Sequence, residues 1–226
     1  MFLGHFGVGF GAKRAASRTS LGTLFLSAQF IDLLWPTLLL AGVERVEIRP
    51  GITRVTPLDF VSYPVSHSLV LVIGWGILFG GTYWMATRYR AGALVIGAAV
   101  ISHWFLDAIV HRPDLPIAPG AATKVGLGLW NSLGATLAVE GLVFGAGLLI
   151  YLRSTAARDR IGRYGTTTLV VLLVLIYVAN LAGPAPPGVT AIAWGGQAQW
   201  LLVWFGYWID RHRRARENTR RDYQLR

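Results

Sequence analysis

The chain has 226 residues, of which 54% are hydrophobic and only 14% are charged. Soluble domains carry about 25% charged residues, so this composition excludes an ordinary soluble enzyme. The net charge of +10 does not indicate nucleic-acid binding, because the basic residues lie between apolar segments, where arginines orient membrane proteins. At about 20 residues for each membrane crossing, the length allows about six or seven helices. We therefore predict one integral membrane domain over residues 1–226 and no separate soluble domain.

The chain begins with an apolar, glycine-rich segment, Met1–Ala12, which the basic residues Lys13 and Arg14 follow. A secretory signal peptide carries its positive charge before the apolar stretch, so this segment does not have that pattern. As a helix, twelve residues would extend about 18 Å, which is too short to cross a bilayer. We predict that residues 1–12 form a re-entrant or interfacial half-membrane segment.

Six uncharged or nearly uncharged stretches follow, each about as long as a bilayer-spanning helix. They are Thr19–Gly42, Ser66–Thr87, Ala91–Val110, Trp130–Leu152, Gly165–Ala182 and Ala191–Ile209. No stretch shows the two-residue alternation of a barrel strand, so the prediction is an all-α, polytopic bundle of about six transmembrane helices. The proline-rich turn Gly183–Gly188 separates the last two. The pairs Gly76/Gly80 and Gly141/Gly145 are typical of close helix packing.

The distribution of the 21 lysine and arginine residues predicts the orientation of these helices. With the N-terminus in the cytoplasm, most of them fall on the cytoplasmic side, including those of a basic tail at residues 210–226. Cytoplasmic loops of membrane proteins carry such an excess. We therefore predict an inner (plasma) membrane protein that crosses the membrane several times, with both termini cytoplasmic.

Ionisable side chains within apolar segments are costly and usually functional. This chain has seven candidates: His5, Asp32, His67, His103, Asp107, His111 and Glu140. In a helix, the spacing of His103, Asp107 and His111 would place all three on one face. Imidazole and carboxylate groups are ligands for zinc and similar divalent ions.

The predicted topology brings most of these groups to a similar depth in the outer half of the membrane, which favours one shared metal site. For each residue the alternative is a hydrogen bond to a neighbouring helix. His111 could instead lie at the interface beside Arg112, and Glu140 could pair with an arginine or with Asn131.

The order of these residues resembles that of YdjM-type inner-membrane metal-dependent hydrolases, which are grouped with zinc-dependent phospholipase C and related nucleases. The resemblance covers residues 5–107: a histidine near the N-terminus, an aspartate in the first span, then Ser66-His67-Ser68 and Ser102-His103 with Asp107. It implies one zinc ion on Asp32, His67, His103 and Asp107. It implies a second ion on His5, with Asp107 bridging and the N-terminal amine contributing, and a third on His111 and Glu140.

Together these features predict a membrane-embedded hydrolase that uses one to three zinc or other divalent ions. Its substrate would be an ester, most directly a phosphoester of lipid type, since membrane lipid surrounds a site facing the outer leaflet. Asp32 is the candidate to orient or deprotonate the attacking water. The alternatives are a divalent-metal carrier or sensor, and a membrane amidase resembling a ceramidase. Nucleic acid is not a predicted partner.

Overall fold

The computed structural model describes residues 1–216, which contain eight α-helices and three short antiparallel strand pairs. The helices are α1 (Phe2–Ala15), α2 (Leu21–Leu40), α3 (Leu69–Thr87), α4 (Arg90–Val110), α5 (Leu133–Ser154), α6 (Arg160–Ala182), α7 (Val189–Gln197) and α8 (Gln199–Arg211). The strands are β1 (Arg45–Ile48), β2 (Leu58–Ser62), β3 (Leu115–Pro116), β4 (Lys124–Val125), β5 (Thr155–Ala157) and β6 (Arg213–Ala215). They pair as β1 with β2, β3 with β4 and β5 with β6. The described part of the chain is thus mostly helical, as predicted, but it also has short strands that the sequence did not predict.

Side-chain caps fix the beginnings of several of these helices. Ser20 accepts a hydrogen bond from the Thr23 amide at the start of α2, and Asp159 accepts one from Gly162 at the start of α6. Each cap satisfies a backbone donor that has no partner within the helix. After α6, the segment from Gly183 to Gly188 contains three prolines, which prevent the helix from continuing into α7.

Five helices, α2 to α6, are long and apolar enough to cross a membrane. They correspond to the first five predicted spans. The sixth predicted span is divided into α7 and α8, which join at Ala198, whose backbone remains in the right-handed helical region. Gly195 and Gly196 immediately precede the junction, and consecutive glycines weaken a helix.

The short N-terminal helix α1 lies inside the bundle, against α2, α4, α5 and α6. Its side chains Phe6 and Phe10 are fully buried. By contrast, the outer helices expose large apolar side chains, such as Ile77 of α3, Leu142 of α5 and Leu201 of α8. Such exposed apolar surface is what a lipid environment covers, and the apolar α1 is shielded from it by the surrounding helices.

Glycines allow two helix pairs to approach closely. Gly7 of α1 lies against Gly147 of α5, where an added Cβ on either residue would meet the backbone of the other helix. Gly76 and Gly80 of α3 pack in the same way against α4, as predicted. The prediction for the second pair was wrong, because residues 141 and 145 have nothing within 4 Å of a Cβ position among the residues described. The contact with α1 falls instead on Gly147.

The described part of the predicted tail is ordered against the bundle. Strand β6 pairs with β5, which follows α5, and Arg213 of β6 is buried. The Arg213 guanidinium donates to Thr155 and to the Gly162 carbonyl and lies over the ring of Tyr151. The rest of the predicted tail, residues 217–226, lies outside the described residues.

Candidate metal centre

Five of the seven predicted site residues meet within the bundle. His5 comes from α1, Asp32 from α2, His67 from the loop just before α3, and His103 and Asp107 from α4. They form two overlapping groups, in each of which one potential ligand atom from every residue lies within 4.8 Å of the others: His5, His103 and Asp107, and Asp32, His67 and His103. The helical spacing of four residues between His103 and Asp107 places both side chains in the same cluster, as the sequence predicted.

The separations between these atoms match those around a small metal ion. His103 Nε2 lies 3.1 Å from Asp107 Oδ2 and 3.6 Å from Asp32 Oδ1. His67 Nε2 lies 3.6 Å from Asp107 Oδ2 and 3.9 Å from Asp32 Oδ1. Ligands bound tetrahedrally to zinc at about 2.0–2.1 Å are about 3.3 Å apart. Small movements of these side chains would therefore bring all four to one ion.

The two carboxylate oxygens of Asp107 point to different partners. Oδ1 lies 3.1 Å from His5 Nε2 and 2.5 Å from the amino nitrogen of Met1. Oδ2 faces His103 and His67. Each carboxylate oxygen of Asp107 therefore faces a different set of nitrogen atoms.

The hydrogen bonds of His103 leave its other ring nitrogen available for a metal. Its Nδ1 lies 2.8 Å from the Ala28 carbonyl oxygen, which can only accept a hydrogen bond, so Nδ1 carries the proton. In the neutral imidazole, Nε2 then has a free lone pair. That Nε2 atom is buried and has no hydrogen-bond partner among the described residues. An orphaned acceptor facing carboxylates is what a metal-binding histidine presents in the absence of its ion.

His67 is held by a short chain of polar groups that the sequence analysis did not identify. Its Nδ1 lies 2.7 Å from Ser66 Oγ, which lies 2.6 Å from Oε2 of Glu44. Glu44 is 2% exposed, and burial raises the pKa of its carboxyl group. Nothing in the local sequence distinguishes it from Glu47, which is exposed on strand β1 and pairs with Arg49. Only the folding of the loop back onto residues 65 and 66 brings Glu44 to the site.

Glu140 is buried near the cluster but belongs to neither group of candidate ligands. Its Oε2 accepts hydrogen bonds from the backbone amides of Leu3, at 2.7 Å, and Gly4, at 3.4 Å. These amides are in the first turn of α1 and have no partner within that helix. The carboxylate thus satisfies the buried start of α1, where a negative charge is also favoured by the helix dipole. In this way Glu140 holds the helix that carries His5.

His111 also lies outside both groups. Helix α4 ends at Val110, and the backbone of His111 is extended, so its side chain leaves the helical face predicted for it. Its Nδ1 lies 2.9 Å from Asp114, which also accepts a hydrogen bond from the Tyr63 hydroxyl. The ring packs against that of Trp130, with centroids 4.3 Å apart, and the His67 ring is 6.3 Å away. His111 therefore lies beside the cluster, next to His67.

The centre is closed except at Asp32. The Asp32 side chain is 23% exposed, whereas those of His5, His67, His103 and Asp107 are at most 2% exposed. Two carboxylates in such surroundings are costly without positive charge or donors nearby. The Met1 amino group lies 2.5 Å from Asp107, and Asp32 faces the imidazoles of His67 and His103. Comparison with models of protein families, with curated proteins and with solved structures found no match to this chain.

Proposed function

We propose that this chain is an integral membrane hydrolase that depends on a divalent metal ion, zinc in the first instance. The observation that carries the proposal is the convergence of three imidazoles and two carboxylates from four separate parts of the chain, at distances suited to metal binding. Such a set of ionisable groups inside a bundle of apolar helices is costly and calls for a function.

The donor atoms fit two neighbouring ions. Asp32, His67, His103 and Oδ2 of Asp107 would hold the first ion. His5 and Oδ1 of Asp107 would hold the second. When bound, the metal supplies Lewis acidity that polarises the ester being cleaved. Glu140 and His111 act around this set rather than within it.

Asp32 is the residue best placed to meet both water and substrate. It is the only member of the set with a substantially exposed side chain, and it lies within 4 Å of two imidazoles. Its Oδ1 faces both imidazoles, so its second carboxylate oxygen would accept a proton from the attacking water and orient that water towards the substrate. The buried imidazoles keep the remaining sides of the centre free of solvent.

We propose six crossings, with α7 and α8 together forming the last, and with both termini in the cytoplasm. The positions of the arginines and lysines support this orientation. Asp32 and His103–Asp107 then lie in the outer half of the membrane. A centre at that depth would meet lipid headgroups first, so a phosphoester of lipid type is the proposed substrate.

The packing of the bundle favours a hydrolase over a metal carrier. A carrier needs a polar path through the whole membrane. On the proposed cytoplasmic side of the centre, the interior is filled by an apolar cluster of α1, α2, α5, α6 and α8, which includes Phe6, Phe10, Phe25 and Leu169. Each of these four side chains is fully buried, and this apolar packing supports the hydrolase over the carrier.

The test combines metal analysis with lipid hydrolysis, using protein purified in detergent. We expect zinc to copurify and the zinc-loaded protein to cleave a phospholipid or a chromogenic phosphodiester. The His5→Ala variant should stay folded and keep one metal but lose hydrolysis, because it removes a ligand of the second ion only. His212→Ala, a histidine change away from the centre, should keep the zinc content and the hydrolysis of wild type. A zinc-loaded wild type that cleaves no ester or amide lipid, but moves metal into proteoliposomes, would support the carrier instead.

A further inference from the structure

Glu44 is a buried carboxylate outside the candidate ligand set, in the loop between α2 and strand β1. It accepts three hydrogen bonds from two consecutive residues. Oε1 receives the backbone amides of Val65 and Ser66, both at 2.8 Å, and Oε2 receives the Ser66 hydroxyl at 2.6 Å. Burial raises the pKa of this carboxyl group, and the three donors oppose that shift because they bind the ionised form, which only accepts hydrogen bonds.

The direction of these bonds determines which nitrogen of His67 carries its proton. Since the Ser66 hydroxyl donates to Glu44, its oxygen must act as an acceptor towards His67 Nδ1, 2.7 Å away. Nδ1 therefore carries the proton, and Nε2 keeps a free lone pair. Nε2 is the atom that faces Asp107 and Asp32. His103 reaches the same state differently, by donating from Nδ1 to a backbone carbonyl.

We propose that Glu44 is a positioning residue of the metal centre: acting through Ser66, it holds His67 in the orientation and tautomer that present Nε2 to the metal. This inference rests on the proposed function, because the hydrogen-bonded chain from Glu44 through Ser66 to His67 can affect metal affinity only if a metal binds. Carboxylate groups that orient metal-binding histidines from behind typically contribute about 10- to 100-fold to metal affinity.

A purely structural role for Glu44 makes a different forecast, and Glu44→Gln separates the two. The glutamine carbonyl can still accept both backbone amides, so the loop keeps these anchors. Its amide nitrogen replaces Oε2 and can only donate to Ser66 Oγ. The Ser66 hydroxyl loses its acceptor on residue 44 and is free to donate to His67 Nδ1, which would move the ring proton to Nε2 and block the metal-facing lone pair.

The experiment measures zinc affinity and the His67 tautomer in detergent. Protein labelled with nitrogen-15 in histidine reports the tautomer by NMR in the zinc-free state. In the wild type we expect the proton on Nδ1; in Glu44→Gln we expect it on Nε2, with zinc affinity about 10- to 100-fold lower. Ser66→Ala should also weaken zinc binding, and the double variant should be no weaker than the worse single variant. Glu47→Gln, an exposed change in the same region, is the matched control and should resemble wild type.

The outcomes separate this inference from the proposed function. If wild type binds zinc but Glu44→Gln keeps both wild-type affinity and the Nδ1 proton, the positioning role is refuted while the metal centre stands. Loss of thermal stability in Glu44→Gln with an unchanged tautomer also refutes it, in favour of a structural role. If wild type binds no zinc, the proposed function fails. The effect of Glu44 on His67 is then tested by comparing the His67 tautomer in wild type and in Glu44→Gln. Should Glu44→Gln not fold, wild-type zinc affinity in Ser66→Ala would overturn the proposal.

Discussion

The change Asp107→Asn tests the candidate metal centre at the residue that lies next to all three of its imidazoles. Asparagine has nearly the same size as aspartate, so the packing of α4 is preserved while the charge and one acceptor oxygen are lost. In the wild type, the Asp107 carboxylate lies within 3.6 Å of all three imidazoles of the cluster. Mutation of a residue that only hydrogen-bonds a metal ligand lowers metal affinity by about 10- to 100-fold. Since Asp107 would bind the metal directly, we expect Asp107→Asn to lower zinc affinity by more than about 100-fold.

The loss of affinity can be measured as a loss of the stabilisation that zinc gives to the folded protein. At a free zinc concentration 100 times the wild-type dissociation constant, binding stabilises the folded protein by about 2.7 kcal/mol. A variant with 100-fold weaker affinity gains only about 0.4 kcal/mol at the same concentration. Thermal unfolding in detergent across a zinc titration, with metal content measured by mass spectrometry, records this difference.

The matched control is Asp114→Asn, the same chemical change at another buried aspartate, which bonds Tyr63 and His111 outside the ligand set. It should alter zinc-free stability but leave the response to zinc intact. If Asp107→Asn retains the wild-type zinc content and the full zinc-dependent stabilisation, the assigned centre is wrong.

Three further predictions concern the fold. Gly147→Ala should destabilise the protein by about 1–3 kcal/mol, because its Cβ would meet the backbone of α1, whereas Gly145→Ala, in open space, should change the unfolding temperature little. Hydrogen bonds from His212 and from a backbone amide lower the pKa of the Asp159 carboxyl group. The folded state therefore gains stability from this carboxylate above its ordinary pKa and loses it as the pH falls through the lowered pKa of the folded state. Accordingly, Asp159→Asn should be less stable than wild type at neutral pH and equal to it at acidic pH, in unfolding measured at both. Finally, a cysteine placed in the segment 183–188, in this cysteine-free chain, should react with a membrane-impermeant reagent from outside the cell; labelling from the cytoplasmic side alone would overturn the proposed topology.

The helices could be predicted because each is specified by the residues within it. Long apolar stretches without charge predicted α2 to α6 closely, and the four-residue spacing of His103 and Asp107 predicted their shared face. The last predicted span was less accurate, since it is divided at Ala198, shortly after Gly195 and Gly196. The short strands were missed because stretches such as Arg45–Ile48 are too brief for a reliable alternation.

The sequence predicted the kinds of side chain in the candidate site better than it predicted which of the residues meet there. Ionisable residues in apolar segments identified His5, Asp32 and His67 as well as the α4 pair, because the cost of burying such groups is visible in the sequence. The same criterion selected Glu140, which the structure places against the backbone at the start of α1, 137 positions away in the chain. It also selected His111. Helix α4 ends at Val110, so the His111 side chain does not lie on the helical face of His103 and Asp107.

The sequence by itself therefore determined that this is a chain of apolar helices carrying a costly set of imidazoles and carboxylates, since composition, spacing and burial cost are local properties. Only the tertiary structure decided which of these groups meet. It alone brought Glu44 behind His67 and turned the two oxygens of Asp107 towards different partners. The physical reason is that hydrogen bonds and van der Waals contacts act over a few ångströms between groups far apart in the chain, and no local pattern records which distant segments will pack together.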